Sequence, residues 1–378
     1  MYSDEYNEKV KLFKDAISFK KPKSIPNLSN FFTWKICDSE FSFKESLYDF
    51  NKMEKLTCDF HERYDFDAYM DLGTRNPLAV TDALGGGFHV FNEETDSINA
   101  YDHVLMSAEE YKDIAKDPIA FSKILFQRKF PNVGAKEMME SIGAYFAFGQ
   151  YAQNMTEKFT KEYNRPAVFD MTAAILTPYE FFNSAARGIK ELSLDVRRHQ
   201  QELIEAMDAY YEVYIENAID SALASDSSMY VTDIYTALLG YSMLNVKQFE
   251  KVYWPILRKY IDKVVEQDKT IYIFCESTML RFAEFFADIP KGHVVLHLEL
   301  DDIFEARKKM PNICLAGGMN TELLGYGTPE KCVDQAKRLI EELGEGFILS
   351  QNKMMSFKND CKRENLLAVN DFVKNYKL

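Results

Sequence analysis

An α/β domain built on a parallel sheet is the fold class this chain predicts, and three observations predict it. Short β-rich runs alternate with helical patterns through the second half. A length of 378 residues suits one large barrel with insertions as well as it suits two domains. Hydrophobic residues make up 47% of the chain and aromatics 14%, which is ample material for a packed interior and an aromatic-lined pocket and excludes disorder.

The alternation runs in order. Residues 230–234 read as a strand, 246–265 as a helix, 271–275 as a strand and 279–286 as a helix. Residues 294–298 are then a strand, 302–309 a helix and 313–316 a strand. Thr328 caps the next helix with Pro329 at its first position, and 347–349 and 364–373 supply a last strand and helix. With the strand-like runs at 67–72 and around Ala167, seven strands are accounted for and the eighth is unassigned.

The first half is less regular. A charged amphipathic stretch at 5–19 and a segment punctuated by Pro22 and Pro26 predict a helical amino-terminal extension, 1–65, ahead of a barrel domain at 66–378. Gly85-Gly86-Gly87 lacks GxGxxG spacing and no helical pattern follows it, so it reads as a turn feeding a hairpin arm at Phe88-His89-Val90-Phe91. Ser107 and Glu110 form a capping box. Helical patterns at 135–163, 178–192 and 200–223 are candidates for the barrel wall.

Charge narrows the function classes. The formal charge of -14 arises from 59 acids against 45 bases, with no basic block that could track a phosphate backbone, so nucleic acid is not an expected partner. The residues after Met1 are acidic and polar, without a signal peptide's basic and apolar regions, and no apolar run approaches the roughly 18 residues of a membrane span. A cytoplasmic location is expected. Six cysteines are scattered without a CxxC pair, which predicts reduced thiols, and Cys275 and Cys314 fall in apolar runs that suit buried, inert ones.

Several segments together resemble the uroporphyrinogen decarboxylase superfamily. Leu315-Ala316-Gly317-Gly318-Met319, then Leu323-Leu324 and Gly327-Thr328-Pro329-Glu330, resemble its strand, turn and helix start. Gly346-Phe347-Ile348-Leu349-Ser350 with Arg363-Glu364-Asn365-Leu366 resembles its closing strand and helix. Phe249-Glu250 with Tyr253-Trp254-Pro255, Met106 to Tyr111 with Asp117-Pro118, and Arg187-Gly188 with Asp195 add to the likeness, which spans about residues 106 to 375. The resemblance implies a (β/α)8 TIM barrel of the uroporphyrinogen decarboxylase type, and function must still be argued from the site.

Within the superfamily the chain is more similar to the corrinoid-dependent methyltransferases than to the decarboxylases. The latter hold a tetrapyrrole's carboxylates with an Arg-rich amino-terminal loop, whereas the first 70 residues here offer Arg63 and otherwise lysines. Thiol-activating zinc methyltransferases of the superfamily share an HxCG strand end and a later Cys. Phe274 and Glu276 stand at the first two positions here and Lys353 near the third, so that sulfur site is missing.

In its place Glu276 ends one strand, and His297 and Glu299 end the next on one face. The spacing of Glu276 and His297 resembles that of the ether-cleaving component of O-demethylases, although that family's upstream Glu falls at Ile261, with Asp262 beside it. The resemblance thus implies zinc on Glu276, His297 and Glu299, polarising an ether oxygen. The other reading of these residues is a helix-capping Glu276 and a core imidazole at His297, bonded to a carbonyl. Asp233, Tyr235 and Glu276 are candidate catalytic residues, and Asp170, Met171 and Asn320 candidate substrate contacts.

The implied reaction moves a methyl group from a methoxylated aromatic, or a related small-molecule donor, to Co(I). No DxHxxG loop for cobalamin appears, so a separate corrinoid protein would carry the cobalamin, and a homodimer is left open. A tetrapyrrole decarboxylase and a non-catalytic binding protein are the alternatives.

Overall fold

The structure is a computed structural model that describes residues 2–73 and 78–377. Runs buried on both faces form its inner sheet, as expected of parallel strands covered by helices. The strands are β1 (Asn27–Ser29), β2 (Ala68–Tyr69), the hairpin pair β3 (His89–Asn92) and β4 (Ser97–Ala100), then β5 (Ile234–Leu238), β6 (Ile271–Cys275), β7 (Val294–Leu298), β8 (Cys314–Met319) and β9 (Phe347–Gln351). Seven of them pair side by side and all in parallel, in the order β2-β1-β9-β8-β7-β6-β5.

The segment between Pro166 and Ile175 bridges the two edges. Ala167 pairs with Tyr69 and Ala174 with Tyr235, and Val231 and Thr232 donate to the carbonyls of Ala167 and Val168. The sheet therefore closes into an eight-stranded TIM-type barrel.

The unassigned eighth strand is β1, which lies between β2 and β9 inside the segment expected to be only a helical extension. The rest of that segment is helical, at Asp4–Ile17 and Phe50–Arg63 among others. Ser3 caps the first of these helices by accepting from the Tyr6 amide, and the helix buries Phe13, Ala16 and Ile17 against Leu28, Ala68 and Val295 inside the barrel. It thus seals the barrel's amino-terminal end.

The expected strands at 271–275 and 294–298 appear with those bounds, while the strand expected at 230–234 lies four residues later, at β5. The hairpin β3–β4 follows the triple glycine as expected. The capping box is formed, with Glu110 accepting from the Ser107 amide at 2.8 Å and held in turn by Arg128. Arg187 donates to Asp195 at 2.6 Å and Tyr111 to the same carboxylate at 2.7 Å, so these resembling segments meet in one buried ion pair. All six cysteines are free thiols, five of them buried. No helix among the described residues is long and apolar enough to cross a membrane.

Gly318 shows how tightly the wall helices seat on the barrel. Its φ is +95°, and a Cβ there would lie 2.7 Å from a methyl of Leu339 on the covering helix Pro329–Leu343. Gly318→Ala is therefore expected to destabilise the fold by about 2–4 kcal/mol from strain and overpacking together, read as a lowered urea midpoint.

Candidate active site

Barrel chemistry is built where the strands end at their carboxyl termini, and strand alternation decides which side chains face inward there. Tyr235, Ala237, Tyr272, Phe274, Val295 and Ala316 all belong to the interior cluster. Continuing that alternation brings Glu276 and Glu299 to the rim above β6 and β7. The floor beneath them is aromatic. Phe169 stacks on Tyr235 at 4.2 Å, and Tyr235 lies 6.3 Å from Tyr272.

The rim is joined across strands. The Glu276 amide donates to the Leu238 carbonyl at 3.1 Å, the Ser277 amide donates to the Glu299 carboxylate at 2.6 Å, and the Asn352 amide group donates to the Glu299 carbonyl at 3.1 Å. Glu276 is exposed, whereas Glu299 is half-buried, and burial pushes its pKa up against the Ser277 hydrogen bond and the Lys353 charge.

His297 lies just below, fully buried. Its Nε2 is 2.8 Å from the Gln351 carbonyl and its Nδ1 2.7 Å from the Tyr272 hydroxyl. A carbonyl only accepts, so Nε2 carries the proton and Nδ1 accepts from Tyr272. Burial pulls its pKa down to about 4, against hydrogen bonding to the backbone at Gln351 and Asn352, so the ring is neutral at physiological pH.

This arrangement corrects the implied zinc set. Both ring nitrogens of His297 are spent inside the barrel wall, which is the core-imidazole reading of that residue. Among the described residues no group of three or more His, Cys, Asp or Glu is placed to hold a metal. Zinc on Glu276, His297 and Glu299 does not fit these side chains.

A carboxylate missed in the sequence stands beside the rim. Glu180 is wholly buried and accepts from the Tyr253 hydroxyl at 2.5 Å and from the Gly240 amide, just past β5, at 2.9 Å. Burial pushes its pKa up to about 7, opposed by those hydrogen bonds and reinforced by the charge of Glu276. In sequence it looks like an ordinary acid in the first turn of the helix opened by Pro178. The signal was the neighbouring family-like Tyr253, its partner.

The other expected site residues are dispersed. The four-residue shift of β5 puts Asp233 at the strand's amino-terminal end, where Thr270, Ser227 and Lys269 hold it, so it is corrected to a structural residue on the far side of the barrel. The same shift makes Tyr235 part of the floor rather than the strand end. Asp170 caps the turn Met171–Ala173 by accepting from Thr172 and also accepts from Tyr230 at 2.8 Å, while Met171 is exposed. Asn320 spends its side-chain oxygen on the amides of Glu322 and Leu323, capping a helix.

A closed parallel barrel with acids at its mouth over an aromatic interior defines an α/β-barrel protein of the kind that carries ligand chemistry at the strand ends. Residues 158–376 match the uroporphyrinogen decarboxylase (URO-D) family, and the chain belongs to that family. Among solved structures, a methyltransferase from Methanosarcina mazei matches with a TM-score of 0.62 over 97% of this chain and 98% of that chain. The two are 14% identical, so the likeness shows the fold. No curated protein sequence matches the chain.

Glu180 binds its proton more tightly folded than unfolded, so its contribution to stability is present at low pH and falls as pH rises from about 4.5 to about 7. Glu180→Gln removes that loss. Denaturant unfolding at a series of pH values is expected to show the variant gaining on the wild type by about 2–3 kcal/mol between pH 5 and 7.

Proposed function

We propose that this chain is a methyltransferase that moves a methyl group from a methoxylated aromatic donor to the Co(I) of a corrinoid carried by a separate protein. The observation that carries the reading is the aromatic floor of Phe169, Tyr235 and Tyr272 beneath a rim bearing Glu276 and Glu299. Tyr235 and Tyr272 are buried, and Phe169, half-buried above them, is the ring that would meet a flat donor by offset stacking. Rim carboxylates favour an uncharged donor over a polycarboxylated tetrapyrrole, which they would repel.

Demethylating an aryl ether breaks the bond between methyl carbon and oxygen and leaves its electron pair on the oxygen. The corrinoid supplies the nucleophile and takes the methyl group. This chain's part is to hold the ring, exclude water and give a proton to the departing oxygen. Glu299, whose proton affinity is raised by burial, is the proton donor in this reading. Glu276, on the same side of the rim, raises the proton affinity of the buried Glu180 through its like charge.

The test is methyl transfer from a methoxyphenol to a reduced corrinoid protein, followed by loss of the Co(I) absorption and by release of the phenol. Transfer is expected with the wild type and a drop of about 10²-fold with Glu299→Gln. Absence of both signals with several methoxylated aromatics, while the protein stays folded, would contradict the proposal.

A further inference from the structure

The loop after β6 holds a strained serine beside the rim carboxylate. Ser277 has a φ of +69°, a left-handed backbone that is unfavourable for a residue with a Cβ and open to glycine without penalty. The other left-handed residues with side chains among those described are Phe19, Asp96, Asn164 and Asp268, and none of them sits at the carboxyl end of a barrel strand. Strain of this kind persists only where the surroundings over-determine it, and it gathers at functional sites. Two bonds do so here. The Ser277 amide donates to Glu299 Oε2 at 2.6 Å, and the Ser277 carbonyl accepts from the Leu300 amide at 3.2 Å.

The first of these bonds sorts the polar groups around it. Glu299 Oε2 is spent on the amide, so Oε1 is the oxygen left to carry a proton and release it. Neither Oε1 nor the Ser277 hydroxyl has a hydrogen-bond partner among the described residues, and both residues are half-buried at the rim. Standard bond lengths put the Ser277 hydroxyl within about 6 Å of Oε2, because it lies two bonds from the Cα whose amide makes the contact. Two O–H donors that share one acceptor at about 2.5–3.0 Å each stand up to about 6 Å apart. A single oxygen can therefore meet both.

We propose that Ser277 is a further catalytic residue, whose hydroxyl donates a hydrogen bond to the oxygen that leaves the methyl group. This inference rests on the methyl-transfer reading of the site and deepens it. As the bond between methyl carbon and oxygen breaks, the electron pair stays on the oxygen. Ser277 keeps its own proton and stabilises that growing charge, and Glu299 Oε1 supplies the proton that ends it. A donor placed where charge develops acts more on the transition state than on the bound ether. It also selects the leaving atom, since a thioether sulfur is a weak acceptor and a quaternary ammonium is none.

The test begins without a corrinoid, by titrating the protein with methoxybenzene and with methyl phenyl sulfide, which have the same shape. The wild type is expected to favour the oxygen compound by about 5-fold or more, and Ser277→Ala to lose about 5-fold of that preference. In methyl transfer Ser277→Ala is expected to lower kcat at least tenfold, more than it weakens binding. Ser277→Gly is expected to share both losses while its urea midpoint stays at or above that of the wild type, because glycine accepts the left-handed backbone. A preference unchanged in Ser277→Ala, or a Ser277→Gly variant that keeps full activity, would overturn the role of Ser277 and leave the methyl-transfer reading standing. Failure to bind either ring would overturn both.

Discussion

One buried imidazole fixes the upper barrel. His297 on β7 accepts from Tyr272 on β6 and donates to Gln351 on β9, and the Asn30 side chain, just past β1, approaches the same ring at 3.5 Å. Both bonds run from the imidazole ring across the barrel's interior rather than along its ladders, and the one to Gln351 holds β7 to β9, strands that are not neighbours. Gln351 also accepts from the Asn30 amide at 2.9 Å, which ties the three-residue β1 into the closure. Each such group left unpaired inside the wall would cost about 1–3 kcal/mol, and that penalty holds the ring in one tautomer and one orientation.

The rim inherits its geometry from that crosslink. Glu299 follows His297 by two residues and Asn352 follows Gln351 by one, so fixing the imidazole fixes where the carboxylate and its amide partner emerge. The acids at the mouth then separate by environment. Glu276 is open to solvent, Glu299 half-buried and Glu180 sealed behind Tyr253, and proton affinity is raised at the two that are withdrawn from water. A site that must protonate a departing oxygen gains from such a gradient.

The strands most legible in the sequence were β6 and β7, whose apolar residues are buried on both faces and give unbroken runs. Asn27-Leu28-Ser29 was not legible as a strand, because two of its three residues are polar and Pro26 precedes it. It is a strand through its pairing with β9, more than 300 residues away. Residues 230–238 offer two overlapping apolar windows, and only pairing with Ile271 selects the later one, which moved Asp233 and Tyr235 with it.

At the site, alternation put His297 and Glu299 on one face of their strand and left Glu276 at the end of the strand before. It carries no information on hydrogen-bond partners, so metal ligand and core imidazole looked alike until Tyr272 and Gln351 were in place. Glu180 was hidden for the same reason, since an acid in a first helical turn is ordinary until it is buried.

The most direct measurement is a long-range proton–nitrogen spectrum of the histidine rings at pH 7, with His297 assigned from the His297→Gln variant, recorded before and after adding zinc. A neutral ring protonated at Nε2, unmoved by zinc, is the expected result. A zinc-dependent shift of either His297 nitrogen would show that the ring is a ligand and would contradict the crosslink on which this reading of the barrel rests.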